Sequence, residues 1–228
     1  MYQVSNIANR LTLGQRKFVA EIIGTFTVVV FAIGSIVIDA KYGGGIFGLP
    51  FVAFAPFVGV TIGVYLFGKI SMAHFNPAVT IGYFITGHIN FKQLPKYFAA
   101  EIIGAILGSL FVKYLIGDYA NLGTTFPNYS FPLPVIFAIE ASATALLMIV
   151  ILIVVYTNGL KGFSGIAIGG IIGLDILFFS FISGASMNPA RSLAPALLSL
   201  HLNDLWLYWS ATFVGSSIVA LLLRHKFI

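Results

Sequence analysis

Apolar residues run through this chain in long unbroken stretches, and the polar positions that interrupt them are few enough to name. The acidic ones are Glu21, Asp39, Glu101, Asp118, Glu140, Asp175 and Asp204. Together with the lysines and arginines they set off six stretches, about 17–38, 49–68, 95–116, 134–156, 163–182 and 203–224. Each is tested against the roughly 20 residues a helix needs to cross a bilayer, and each passes. Two further apolar runs are too short. One follows His74-Phe75-Asn76-Pro77-Ala78-Val79-Thr80, the other Ser186-Met187-Asn188-Pro189-Ala190-Arg191-Ser192. Runs of about 10–14 residues read as re-entrant or buried helices, tolerated at membrane depth only inside protein or beside a water-filled cavity. The pattern predicts an all-α membrane protein with six transmembrane helices and two re-entrant half-helices, forming a single transmembrane domain over residues 1–228.

Composition agrees. Of 228 residues 59% are apolar, about 70% with the 24 glycines included, against roughly 45–50% in soluble domains. Only 8% are charged, which argues against a cytosolic enzyme, a disordered chain or a nucleic-acid binder. The net charge of +5 arises from scattered single residues and short pairs with no basic stripe, so the implied partner is the lipid bilayer and not nucleic acid. The absence of cysteine excludes disulfides, thiolate metal sites, cysteine nucleophiles and palmitoylation. The first stretch is too long for a cleaved signal peptide, and no compact basic region precedes it. Arg10, Arg16 and Lys17 come before that span, Lys92 and Lys96 between the second and third, Lys161 between the fourth and fifth, and Arg224 and Lys226 after the sixth. The other side has mainly Lys41 and Lys113. This excess predicts a multi-pass protein of the cell membrane with both termini cytoplasmic.

The Asn-Pro-Ala triplet occurs twice, 112 residues apart. A second feature repeats with it: Glu21 is followed four residues on by Thr25, and Glu140 by Thr144. Each half, about 10–118 and 130–228, therefore reads as a span with Glu-x-x-x-Thr, a second span, Asn-Pro-Ala with a short helix, and a third span. Three spans per half require opposite orientations, an inverted repeat whose site tends to lie at broken helices near the midplane.

Asn followed by Pro starts a helix. Asn is a favoured N-cap, and Pro at the first helical position gives up only an N–H that would be unpaired there. Two helices of about 10 residues, each about 15 Å long, entering from opposite faces would meet near the centre of a roughly 30 Å hydrocarbon core. Each N-terminus carries roughly half a positive charge, so the meeting point repels cations, including hydronium. With the Asn oxygens used in capping, their NH2 donors are left to face a solute oxygen. A water accepting from both Asn76 and Asn188 would point its hydrogens outwards and could not relay a proton. These groups would conduct water and resist protons.

On these residues the chain resembles the aquaporin (major intrinsic protein) family over nearly its whole length. The carriers are two Asn-Pro-Ala triplets, Asn76-Pro77-Ala78 and Asn188-Pro189-Ala190, in inverted halves, with Arg191 after the second. The resemblance implies an inverted-repeat aquaporin-like fold, one pore per subunit, a homotetramer, no cofactor or metal, and passive conduction of water, with small neutral solutes such as glycerol left open. In such pores selectivity rests on diameter, lining groups and an Arg or half-helix barrier. It also implies that Arg191 forms a narrow outer filter with Pro56, Ile176 and Ala185. An unpaired cation at depth costs at least about 2.5–3.5 kcal/mol on insertion scales, which already marks Arg191 as functional; the competing reading is an interfacial Arg that snorkels. Glu21 and Glu140 are expected to accept hydrogen bonds from the re-entrant loops, whose N–H groups are otherwise orphaned at that depth; the plainer alternative is a protonated Glu at a helix contact.

The chain departs from the family pattern at two filter positions. Pro56 stands where water-selective members usually carry an aromatic residue, and Ile176 where His is common. Either Phe54 or Phe57 rotates in beside a Pro-distorted turn, or the filter is wider than in strict water channels. Ser192, Ala196 and the pair Tyr208-Trp209 are similar to water-type members, so the markers conflict. His74 and Lys69 are expected in the cytoplasmic vestibule, the alternative for His74 being a structural role, as a lone His often has. Asp175 has no family role, and a contact with Arg191 is a hypothesis. Gly43, Gly45 and Gly48 spell G-x-G-x-x-G but follow no strand and sit between spans. Gly59/Gly63 and Gly169/Gly173 have the spacing that lets helices approach closely. Asn128-Tyr129-Ser130 matches a glycosylation acceptor, meaningful only in a eukaryotic secretory pathway. No enzymatic motif occurs. The rival functions are a glycerol or small-neutral-solute facilitator, an ion-coupled transporter, and a structural junction protein. The transporter would need a titratable pair at the midplane, where this chain has Asn76 and Asn188.

Overall fold

The structure is a computed structural model that describes residues 11–43 and 47–227. Arg10 and Gly45 lie outside the described residues. Six long helices occupy the expected spans: α1 (Leu13–Ile38), α2 (Gly48–Ser71), α4 (Leu94–Leu115), α5 (Leu133–Tyr156), α6 (Ser164–Ser183) and α8 (Leu205–Phe227). The half-helices are α3 (Pro77–Ile85) and α7 (Pro189–Ser199). α1 begins a turn earlier than the hydrophobic run because Thr12 and Gln15 form a reciprocal capping box that satisfies its first amides. The half-helices start at Asn-Pro, as expected. Asn76 and Asn188 have extended backbone, and each side chain accepts from the N–H two residues on.

Packing follows the two halves. α1, α2 and α4 form one group of three, and α5, α6 and α8 the other, joined along α2 and α6. Each half-helix then leans on the opposite group: α3 packs on α8, and α7 on α4. Small residues set these crossings. A Cβ on Gly104 would stand 2.4 Å from the carbonyl oxygen of Ile22, and one on Gly215 only 2.0 Å from that of Ala141. The two glycines therefore bring α4 onto α1 and α8 onto α5. Gly169 does the same between α6 and α2, its Cβ position 2.5 Å from the Phe57 oxygen, in line with the spacing noted above.

The half-helices of 9 and 11 residues come to about 14 and 16 Å at 1.5 Å per residue, together about the thickness of the hydrocarbon core. Between α4 and α5 the chain makes a left-handed turn at Ala120, Asn121 and Leu122, with φ of 50°, 51° and 58°. Leu122 is fully buried there, against the cluster of Val29, Ile33 and Ala194.

Candidate functional site

The loops before the half-helices are built alike. Met72, Ala73 and Phe75 have φ of 74°, 52° and 51°, and Gly184, Ala185 and Met187, each 112 positions later, have 85°, 46° and 55°. Left-handed backbone at non-glycine residues persists only where surroundings enforce it. Here carboxylates do so. Glu21 Oε1 accepts from the His74 N–H at 3.0 Å and Oε2 from the Phe75 N–H at 2.7 Å. Glu140 Oε2 accepts from the Ser186 N–H at 3.2 Å and Oε1 from the Met187 N–H at 2.6 Å. Both glutamates are fully buried, and one acid side chain holds two consecutive loop amides in each half. A tyrosine closes each loop from behind: Tyr97 Oη donates to the Ser71 carbonyl and Tyr208 Oη to the Ser183 carbonyl, both at 2.7 Å.

The two half-helices are cross-tied at their tips. Asn76 Oδ1 accepts from the Ala78 N–H at 2.9 Å, while Asn188 Oδ1 accepts from Ala190 at 3.0 Å and Arg191 at 3.2 Å. Asn76 Nδ2 donates to the Met187 carbonyl at 2.7 Å, and Asn188 Nδ2 to the Phe75 carbonyl at 2.8 Å. This corrects the expectation that the amide donors are left free. One N–H of each carboxamide ties its loop to the other, and one remains for the lumen.

A cavity of about 150 Å³ runs past these tips. It is bordered by both asparagines, by Pro56, Ile176, Ala185 and Arg191, and by valines and isoleucines of the long helices. All four filter positions therefore meet on one lumen. Pro56 sits buried inside α2, and neither neighbouring aromatic replaces it. Phe54 is 60% exposed on the outer face, and Phe57 packs where Gly169 and Gly173 leave room on α6. Neither Phe54 nor Phe57 borders the cavity, so the rotation of an aromatic ring beside Pro56 is not seen; Pro56, Ile176, Ala185 and Arg191 border it.

Arg191 is 8% exposed, and one guanidinium nitrogen donates to Thr125 Oγ1. Thr125 Oγ1 lies 3.2 Å from Ser192 Oγ, which lies 2.5 Å from Ser186 Oγ. A hydroxyl chain thus links Arg191 back to the loop that Glu140 holds. Among the described residues no carboxylate pairs with Arg191, so the Asp175 contact is not made. Asp175 is buried, with Oδ2 lacking any partner.

In the other half His74 borders the cavity, with its ring held among aromatic side chains. It is 3% exposed, stacked on Tyr97 at 4.1 Å and tilted against Tyr83 at 4.5 Å, with Nδ1 2.7 Å from Thr80 Oγ1. Lys69 is exposed in the last turn of α2 and does not border the cavity. Thr80 Oγ1 in turn donates to Glu101 Oε1 at 2.5 Å. Glu101 escaped the sequence reading of site residues, although the argument that singles out Glu21, a lone acid inside a span, applies to it equally. Thr125 had no such signal, since nothing local marks a loop threonine as the partner of an arginine 66 residues away.

Comparison with known proteins points the same way. The chain is 40% identical over 210 residues to aquaporin NIP3-1 of Arabidopsis thaliana, spanning 88% of this chain and 64% of that protein. It is 36% identical over 203 residues to nodulin-26 of Glycine max, spanning 88% and 74%. The chain thus spans between about two thirds and three quarters of the length of these relatives. Its fold is similar to the crystal structure of the aquaglyceroporin from Plasmodium falciparum, with a TM-score of 0.75, 25% identity, and coverage of 94% of this chain and 95% of that one. The model of the major intrinsic protein family matches residues 8–223, and with six spans, two opposed half-helices and twin Asn-Pro-Ala caps on one lumen, this chain belongs to that family.

Proposed function

We propose that the protein is a passive channel for water and small neutral solutes that excludes protons and ions. The observation that carries this reading is the single cavity shared by Asn76, Asn188 and the four filter positions. A solute oxygen at the midplane finds one N–H from each carboxamide and, around it, the positive ends of two half-helices. A water there accepts twice and is turned so that it cannot accept a proton from its neighbour. Arg191 adds a fixed positive charge at the outer constriction, where Pro56, Ile176 and Ala185 form an apolar wall. Glu21 and Glu140 keep the loops in their left-handed conformation. Transport needs no chemistry at any of these groups.

The Arabidopsis thaliana relative is named as an aquaporin and the structural neighbour as an aquaglyceroporin. The filter without an aromatic ring favours passage of solutes beyond water, glycerol among them. The further elements of the proposal are a homotetramer with one pore per subunit, residence in the cell membrane, cytoplasmic termini, and halves acting as inverted repeats within one domain. Stopped-flow light scattering on proteoliposomes tests the central part. Osmotic shrinkage well above that of empty vesicles is expected, with re-swelling under a glycerol gradient if the filter admits it. Shrinkage equal to empty vesicles overturns the proposal.

A further inference from the structure

Charge is distributed unequally between the two ends of the bundle. The end where α1 begins has Arg16, Lys17, Lys69, Lys92, Lys96, Lys161, Arg224 and Lys226 and, among the described residues, no exposed acidic side chain. At the other end Lys41 and Lys113 are engaged, donating to the carbonyls of Ile116 at 2.7 Å and Leu198 at 3.0 Å. The side-chain ammonium groups of Lys17 and Lys96 have no hydrogen bond or ion pair among the described residues. They flank a cleft of about 70 Å³ between α1 and α4, bordered also by Gly14, Phe18, Gln93 and Tyr97, with Glu21 at its inner end. A water takes up roughly 30 Å³ in the liquid, so the cleft admits more than a single solvent molecule.

The polar groups of the cleft are two ammonium groups, one side-chain amide, one phenol and one carboxylate. Each oxygen of Glu21 accepts from a loop amide, and among the described residues no ion pair joins this carboxylate to Lys17 or Lys96. Gln93 Oε1 accepts from the Asn90 N–H at 3.0 Å, which leaves the amide N–H2 as a third donor. Phe18 supplies an apolar wall, and beside Gly14 the space is open, with no atom within 4 Å of where a Cβ would stand. The cleft lies in the first turns of two helices long and apolar enough to cross a membrane, and basic side chains next to such a span contribute to holding anionic lipid.

We infer that the Lys17–Lys96 cleft between α1 and α4 binds a phosphate group, supplied by the headgroup of an anionic lipid. The inference is independent of conduction and draws on the proposed orientation only for the identity of the leaflet. The test is isothermal titration of the detergent-solubilised full chain with dioctanoyl phosphatidic acid, dioctanoyl phosphatidylcholine and inorganic phosphate. Phosphatidic acid is expected to bind the unaltered protein, and Lys17→Gln/Lys96→Gln to bind about 30-fold more weakly, given what two interfacial lysines contribute. Lys69→Gln/Lys161→Gln, on the same rim away from the cleft, is expected to bind as the unaltered protein does. Retained helical circular dichroism of Lys17→Gln/Lys96→Gln establishes that it is folded. Inorganic phosphate binding as tightly as phosphatidic acid supports the phosphate site and assigns it to free phosphate. Unchanged binding by folded Lys17→Gln/Lys96→Gln, or phosphatidylcholine binding as tightly, overturns the inference.

Discussion

Glu140 shows most directly how one residue sustains the pore. Its side chain carries the N–H groups of Ser186 and Met187 at 3.2 and 2.6 Å inside a fully buried site. Glu140→Ala leaves two amides without a partner, at about 1–3 kcal/mol each. It is expected to lower the unfolding free energy by at least about 2 kcal/mol, measurable as an earlier thermal transition, and to reduce water flow. Arg191→Val acts differently. The guanidinium bonds to Thr125 and to no carboxylate among the described residues, so its loss frees no buried acid. Vesicles with Arg191→Val are expected to keep their osmotic response and to gain proton conductance, read with an entrapped pH dye. Unchanged proton conductance would remove Arg191 from the barrier. At this scale the sequence was legible where a residue acts on its own neighbours: Asn76 and Asn188 cap within two residues. It was not legible where direction is set by tertiary packing, as for the His74 ring drawn between two tyrosines or Phe54 turned outward.

At the scale of elements, the six spans and both half-helices were legible because each rests on a local rule, apolar length or the Asn-Pro start. What the sequence did not reveal is how half-helices pair with the opposite group, α3 with α8 and α7 with α4. That exchange depends on close crossings made possible by glycine. With a Gly215 Cβ only 2.0 Å from the Ala141 oxygen, a side chain here must push α8 off α5. Gly215→Val is expected to destabilise by about 1–3 kcal/mol, as overpacked cores do, and to impair conduction through the displaced α3. Differential scanning of solubilised protein checks the first effect and vesicle shrinkage the second. A thermal transition unchanged by Gly215→Val would contradict the packing role.

For the whole molecule, scarcity of charge became a map. Among the described residues, the charged and acidic ones left inside the bundle are Glu21, Glu101, Glu140, Asp175 and Arg191, and all are buried. Three of the acids hold loop amides or the Thr80 hydroxyl. Glu101 Oε2 and Asp175 Oδ2 have no hydrogen-bond partner among the described residues, and nothing in the structure explains Asp175. A chain without cysteine is expected to conduct unaffected by mercurials, and inhibition reversed by a thiol reductant would contradict that. The central claim is that one lumen passes water while refusing protons. It is tested most directly by recording osmotic shrinkage and internal pH in the same proteoliposomes, under an osmotic step combined with a pH gradient. Shrinkage far faster than in empty vesicles, with acidification no faster, is the expected result. Proton entry that rises with water flow, or shrinkage no faster than in empty vesicles, would contradict it.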